Sequence, residues 1–304
     1  METVPFLIKK YDNVENYLHF KYLPNSNYYI NNYINICKDT KFCINNYLNK
    51  CKKVFLLYST KYNINFYIYS NKIDTNDLIK LYNNYKRILI LKDIYNINKN
   101  INFHISFSSQ LRYIPNKNEV FKPKHINGGF TNPHSNDIYI VRKQEYSKVI
   151  IHEFLHHVSD IQNTYFSNSN INLLKKKFNI SISTELIPIE AIIEFWATIY
   201  ILLFISIDYS INFDLLIKKE INHSLILYNK IINNFNYKWH EYTNTFSYIV
   251  FKLILLIKYK TFMKIKYPYN GDKIVNFLIN NSKLKNINNY NNDKKFTLML
   301  FSDF

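Results

Sequence analysis

Small residues are almost missing from this chain. Three Gly and two Ala are present in 304 residues, and Arg is nearly as rare, at three. So few glycines exclude a collagen-like chain and a Gly/Ser linker protein. Three cysteines, Cys37, Cys43 and Cys51, match no zinc-pair spacing and cannot all pair within the chain. They read as plain thiols of a reducing compartment. The N-terminus METVPFLIKKYDN lacks an apolar core of signal-peptide length. The longest apolar stretch, Phe195 to Ile207, is 13 residues. A bilayer span needs about 20, so this stretch reads as a buried helix. The expectation is a soluble, intracellular protein without a membrane span.

Asn, Ile, Lys, Tyr and Phe fill the space left by the small residues. Their codons are made largely of A and T, so an AT-rich genome is the simplest cause. The formal charge of +17 reads the same way: the lysines are spread along the chain, and their longest run is Lys175 to Lys177. A nucleic-acid partner needs a basic stripe or a motif, and neither is visible. At 47% hydrophobic and 17% aromatic the chain is too apolar to stay unfolded.

Val54–Tyr58 and Ile64–Tyr69 alternate as a hairpin would. Thr75 to Tyr85 reads as a helix with a cap at Asp74/Thr75, and Ile88–Leu91 as a short buried strand. Ile101, Phe103, Ile105 and Phe107 alternate with Asn102, His104, Ser106 and Ser108, which predicts a half-buried strand. Asp137–Arg142 is a further strand. Helices follow at 144–160, 171–178, 187–207, 212–234, 243–258 and 271–281, with a low-complexity loop at 281–295. Residues 1–52 lean helical. The layout is α+β: a mixed sheet in the N-terminal half, packed on the helix at 144–160, and a mostly helical C-terminal half. Residues 1–125 form an N-terminal helical and mixed-sheet region, either part of one compact unit or a small domain. Residues 126–304 form the region that carries the chemistry.

That region holds His152-Glu153-Phe154-Leu155-His156, an HExxH on a helix. Histidines four apart lie one turn above each other, so both imidazoles can face one metal, with Glu153 beside them to hold a water. On the helix that starts after Pro188, Glu190, Glu194 and Ala197 share one face. Two carboxylates in an otherwise apolar helix are costly unless paired or metal-bound. Ala191 and Ala197, the only two alanines, lie on this helix, and Gly128 and Gly129 lie upstream of the HExxH. Where Gly and Ala are this rare, each marks a position at which a larger residue does not fit. The glycine pair beside a strand allows a backbone, such as a bound peptide, to come close.

HEFLHH followed by IEAIIEFWA resembles the gluzincin metallopeptidases, which have a zincin-like fold. The resemblance implies a Zn2+ cofactor held by His152, His156 and a glutamate of the second helix. Glu190-Ala191-Ile192-Ile193-Glu194 looks like the E-A-x-x-D/E element of the thermolysin-like branch. That match makes Glu190 the third ligand and Glu194 the acid that orients a ligand histidine. An aminopeptidase-type register, placing Glu194-Phe195-Trp196-Ala197 on N-E-G-F-A, makes Glu194 the ligand instead. Glu190 is preferred, and Glu185 is a more distant candidate. The gap from His156 to Glu190 is longer than in thermolysin. The metzincin pattern would need Gly at 159 and His at 162, where this chain has Ser159 and Gln162. NGGFTN, IYIVRKQEYSKVIIHEFLHH, EAIIEFWATI and NTFSYIVFKLILL are together similar to uncharacterised HExxH proteins of giant nucleocytoplasmic DNA viruses, which implies a host-cytoplasmic or virion setting.

The implied activity is zinc-dependent peptide-bond hydrolysis of a peptide or protein substrate, with Glu153 as general base. His223, His240, Tyr242 and Tyr248 are candidates for an oxyanion donor, and Arg142 for a substrate carboxylate contact. Zincins also imply substrate addition along an edge strand, here expected to be Asp137–Arg142. His125 and His134 read as loop residues and His157 as packed or solvated. Two other classes compete: a zinc-bearing virion or scaffold protein without activity, and a basic nucleic-acid-binding protein. The intact Glu153 argues against the first, because structural zinc needs no general base.

Overall fold

The computed structural model describes residues 9–39, 45–116, 119–132, 134–158, 160–232, 238–284 and 294–301. Cys43 and most of the low-complexity stretch at 281–295 lie outside them. The chain divides into two compact units: 1–110 with 128–159 and 302–304, and 111–127 with 160–301. Both take segments from either side of residue 125.

The first unit is built on a mixed sheet of six strands, in the order β1-β2-β3-β4-β6-β5. The strands are β1 (Leu18–Tyr22), β2 (Val54–Ser59), β3 (Ile64–Tyr69), β4 (Ile101–Ser106), β5 (Gly129–Thr131) and β6 (Asp137–Ile140). β1, β2 and β3 are antiparallel, β3, β4 and β6 run parallel, and β5 closes one edge antiparallel to β6. The expected hairpin is β2–β3, and the expected alternation is seen in the first five residues of β4, where Ile101, Phe103 and Ile105 are buried while Asn102 and His104 are half-buried; it does not continue to Ser106 and Ser108, which are buried.

Two layers flank this sheet. On one face lie α2 (Thr75–Ile94) and α3 (Tyr146–Val158). α3 packs on β5 and β6 and against α2, and Asn84 Nδ2 donates to Ser147 Oγ at 2.8 Å between the two helices. α1 (Ser26–Asp39) packs on the other face, where Tyr33 donates its hydroxyl to the Ile140 carbonyl at 2.9 Å. Its apolar stripe of Ile30, Tyr33, Ile34 and Cys37 joins Val54, Tyr69, Tyr139 and Val141 in one buried cluster.

Three local expectations are corrected. Ile88–Leu91 is not a strand but the last part of α2, which starts at the expected cap, where Asp74 accepts from the Asp77 N–H. Nothing breaks the chain between Tyr85 and Ile88, and those residues are buried on all sides, so the helical period is invisible there. β1 lies within the segment read as helical. β6 is not an edge strand: β5 covers its outer side, and the edge belongs to Gly129–Thr131.

The second unit is helical. Its longer helices are α4 (Asn168–Lys177), α5 (Ile189–Asp208), α6 (Phe213–Ile232), α7 (Lys252–Ile257) and α8 (Gly271–Asn280). The expected helix at 243–258 begins as a π-helical turn, Ser247–Phe251, and continues as α7. α5 is the centre of this unit and contacts α6, the π turn and α7. It is long and apolar enough to cross a membrane by length and composition, and 67% of its most apolar window is buried inside the fold. Glu220 of α6 and Lys252 of α7 form a buried ion pair at 3.6 Å. Lys252 donates to the Leu298 carbonyl at 2.7 Å, and Glu220 accepts from the Leu300 N–H at 2.9 Å. The C-terminal segment is therefore fastened by charge as well as by buried Leu298 and Met299.

Candidate metal centre

The HExxH occupies the last two turns of α3. Val149, Ile150, Phe154 and Leu155 are buried, and Val149 lies against β5. His152 and Glu153 are each 6% exposed, so the motif faces inward rather than into open solvent. The Nε2 atoms of His152 and His156 are 3.1 Å apart. That spacing suits a hydrogen bond when one nitrogen carries a proton. It also suits two neutral ligands of one tetrahedral ion, whose nitrogens stand about 3.3 Å apart for bonds of ~2.0–2.1 Å.

Gly129 explains how Glu153 is held. A Cβ on Gly129 would lie 2.9 Å from Glu153 Cγ, 2.9 Å from Val149 Cγ1 and 2.8 Å from the Tyr139 carbonyl oxygen. The glutamate stem thus fills the space that a side chain at 129 would need. The glycine pair is expected to admit a backbone such as a bound peptide; at Gly129 the close neighbours are instead the fold's own Glu153 and Val149 side chains and the Tyr139 carbonyl. Gly128 contributes its carbonyl to the Val141 N–H at 2.8 Å.

Glu190 and Glu194 stand on the first two turns of α5. Glu194 is 1% exposed and Glu190 half-buried, and Ala191 and Ala197 are fully buried. The start of this helix is tied down by the π turn and the segment before it. Ser247 Oγ donates to the Ile187 carbonyl at 3.0 Å, and His240 Nδ1 lies 3.1 Å from Thr184 Oγ1. Asn244 Nδ2 donates to Glu190 Oε1 at 3.4 Å. The segment holds its shape around Glu241, whose buried carboxylate accepts from the N–H groups of Thr245 and Phe246 and from the Thr243 hydroxyl. Burial pushes the Glu241 carboxyl above its usual range against those hydrogen bonds.

One ligand atom each from His152, His156 and Glu190 lies within 4.8 Å of the others. Two imidazoles and a carboxylate are a donor set suited to zinc, and the group is compatible with a bound metal ion.

No family model, curated protein or solved structure matches the chain. The donor set and its surroundings therefore carry the functional reading.

His223 is engaged by the Thr297 carbonyl, 3.1 Å from its Nε2. Tyr242 is exposed, Tyr248 is half-buried on the π turn, Glu185 is exposed, and Arg142 is buried. His125 is fully buried in a one-turn helix, where its Nδ1 accepts from the Lys122 N–H, and His134 is exposed. His157 is packed: its Nδ1 lies 3.3 Å from Thr131 Oγ1. Burial, aided by the nearby Lys99 charge, lowers its pKa to about 4 and keeps it neutral. Asn244 was not legible beforehand, because Asn is among the commonest residues of the chain and this one lies in no motif.

Proposed function

We propose that this chain is a zinc-dependent peptidase with a zincin-like catalytic region. The observation that carries the reading is the convergence of His152, His156 and Glu190, with Glu153 adjacent on α3 and wedged against Gly129. His152 and His156 would hold the ion through Nε2, and Glu190 through a carboxylate oxygen. Bound zinc supplies Lewis acidity, which brings the pKa of water towards about 7 and polarises a carbonyl.

The other groups act through their own atoms. A Glu153 carboxylate oxygen accepts a proton from the attacking water and returns it to the leaving amine nitrogen. Fixing the Glu153 stem against backbone limits the side-chain freedom lost at each turnover. Asn244 restrains Glu190, and Glu194, buried one turn further along α5, orients a ligand histidine ring. Among the described residues β5 has one ladder partner, β6. An extended peptide would add alongside β5, beside Glu153.

Elemental analysis of purified protein should find close to one zinc per chain. Glu153→Gln should keep that zinc and lose hydrolysis of a peptide library by about 10²–10⁴-fold. A folded, metal-free preparation would overturn the reading, and so would an active Glu153→Gln enzyme.

A further inference from the structure

The sheet face opposite α3 carries a cleft of about 450 Å³ with a different chemistry. Its floor follows from strand register. Tyr67 on β3 lies opposite His104 on β4, His104 opposite Tyr139 on β6, and Tyr139 opposite Phe130 on β5. Their rings stack at 5.0, 4.7 and 4.9 Å with interplanar angles of 9°, 14° and 11°. Those separations match the spacing of neighbouring strands, about 4.8 Å. Tyr29 of α1 extends the stack over Tyr67 at 5.5 Å.

His104 is saturated. Its Nδ1 is 2.9 Å from the Tyr69 hydroxyl and its Nε2 is 3.2 Å from Asp137 Oδ1. The same Oδ1 accepts from Asn102 Nδ2 at 3.0 Å. Both inner bonds fall on one oxygen. The other, Oδ2, has only the Ser135 hydroxyl at 3.5 Å, and the Asp137 side chain is 36% exposed. The hydrogen bond from His104, then that from Asn102, holds the Asp137 carboxyl below its usual range against the effect of burial, so it is ionised at neutral pH.

Among the described residues the lining contains six tyrosines, three asparagines and this carboxylate, and no Lys or Arg. A phosphate or carboxylate ligand would find no counter-charge and would face Asp137. A cation finds an oriented carboxylate oxygen with spare acceptor capacity. The floor rings have their faces on one another, but at the mouth a cation also finds the exposed ring of Tyr28, whose face attracts positive charge. Tyr28 and Tyr29 stand at 83° to each other with centroids 5.4 Å apart, which makes an aromatic corner at the mouth. Asn32 and Asn35 add amide oxygens from α1.

We propose that this cleft binds a small organic cation, an ammonium or methylammonium head on a compact body, with Asp137 Oδ2 and the tyrosine corner as its recognition elements. The site is independent of the metal reading, since it lies on the other face of the sheet and shares no residue with the HExxH cluster.

The test is calorimetric titration of the full-length protein with benzyltrimethylammonium and benzylamine, alongside benzyl alcohol and benzoate as neutral and anionic counterparts and glucose as a neutral polyol. The cations should saturate at one per chain and bind at least about tenfold more tightly than benzyl alcohol, with no binding of benzoate. Asp137→Asn should weaken the cations by about tenfold. Tyr28 is 65% exposed, so Tyr28→Ala spares the fold and should weaken them by about threefold. Tyr28→Ala and the neutral counterpart decide the matter if Asp137→Asn does not fold. Equal affinity for benzyl alcohol, binding of benzoate, or no saturation would overturn the proposal. So would a preference for glucose, which would assign the cleft to carbohydrates, or wild-type affinity in the folded variants.

Discussion

Gly129→Ala adds one methyl group at the point where β5 meets α3, and its consequences can be worked out from three contacts. The new Cβ would stand 2.9 Å from Glu153 Cγ, 2.9 Å from Val149 Cγ1 and 2.8 Å from the Tyr139 carbonyl oxygen. Carbon pairs rest at about 3.5–4.0 Å, so each of the two side chains must withdraw by roughly 0.6–1 Å or the strand must shift. The carbonyl belongs to the strand that pairs with β5 and yields least. Overpacking of this kind costs about 1–3 kcal/mol. At about 2–4 °C per kcal/mol for a domain of this size, Tm should fall by roughly 5 °C. Displacing a general base by about 1 Å costs on the order of 10² in rate. The three nearest neighbours of the added methyl are Tyr139, Glu153 and Val149 and include neither histidine, so zinc stoichiometry should be unchanged. The assays are thermal unfolding, elemental analysis and hydrolysis of a peptide library by the same preparation. Wild-type stability together with wild-type turnover would refute the packing argument. Lost zinc would show that α3 moves as a whole rather than at Glu153.

Three further outcomes are expected. Glu190→Ala should lower zinc affinity more than Glu194→Ala, whose loss should cost about 10–100-fold as an orienting group; competition with a chelator measures both, and the reverse order would make Glu194 the ligand. Lys252→Met leaves the buried Glu220 without its cation and should cost about 3–5 kcal/mol in urea unfolding. Replacing Glu220 by Gln as well should recover much of it, and strictly additive losses would show that the two do not act as a pair. The Asp137 carboxyl, held down chiefly by its hydrogen bond from His104, contributes stability that is complete above the ordinary value of 3.8 and is lost as pH falls through and below it. Asp137→Asn should therefore flatten the acid limb of the stability curve, and an unchanged limb would remove Asp137 from that role.

What could be read in advance depended on how far apart in the chain the interacting residues lie. The HExxH helix, the Asp74 cap, the β2–β3 hairpin and the alternation of β4 are local patterns, and the fold contains them. The strand expected at Ile88–Leu91 failed because a helix buried on all sides shows no period. The edge expected at Asp137–Arg142 failed because Gly128-Gly129 reads as a loop until β5 is paired with β6. Within the centre, the two histidines and Glu153 were legible because one helical turn relates them. Asn244, in contrast, reaches Glu190 across 54 positions through a loop shaped by a buried glutamate.

The aromatic cleft lies at the far end of this scale. Tyr67, His104 and Tyr139 come from three strands and become neighbours only through the parallel register of β3, β4 and β6. A slip of one residue in either ladder would turn one of these rings to the opposite face and break the stack. In a chain with 28 tyrosines no single one signals a site. The rarity of glycine works the other way: Gly129 could be singled out from composition alone, and it is the residue whose missing side chain leaves room for Glu153. Scarce residues mark places where volume is limiting, whereas abundant ones acquire meaning only from the register that brings them together.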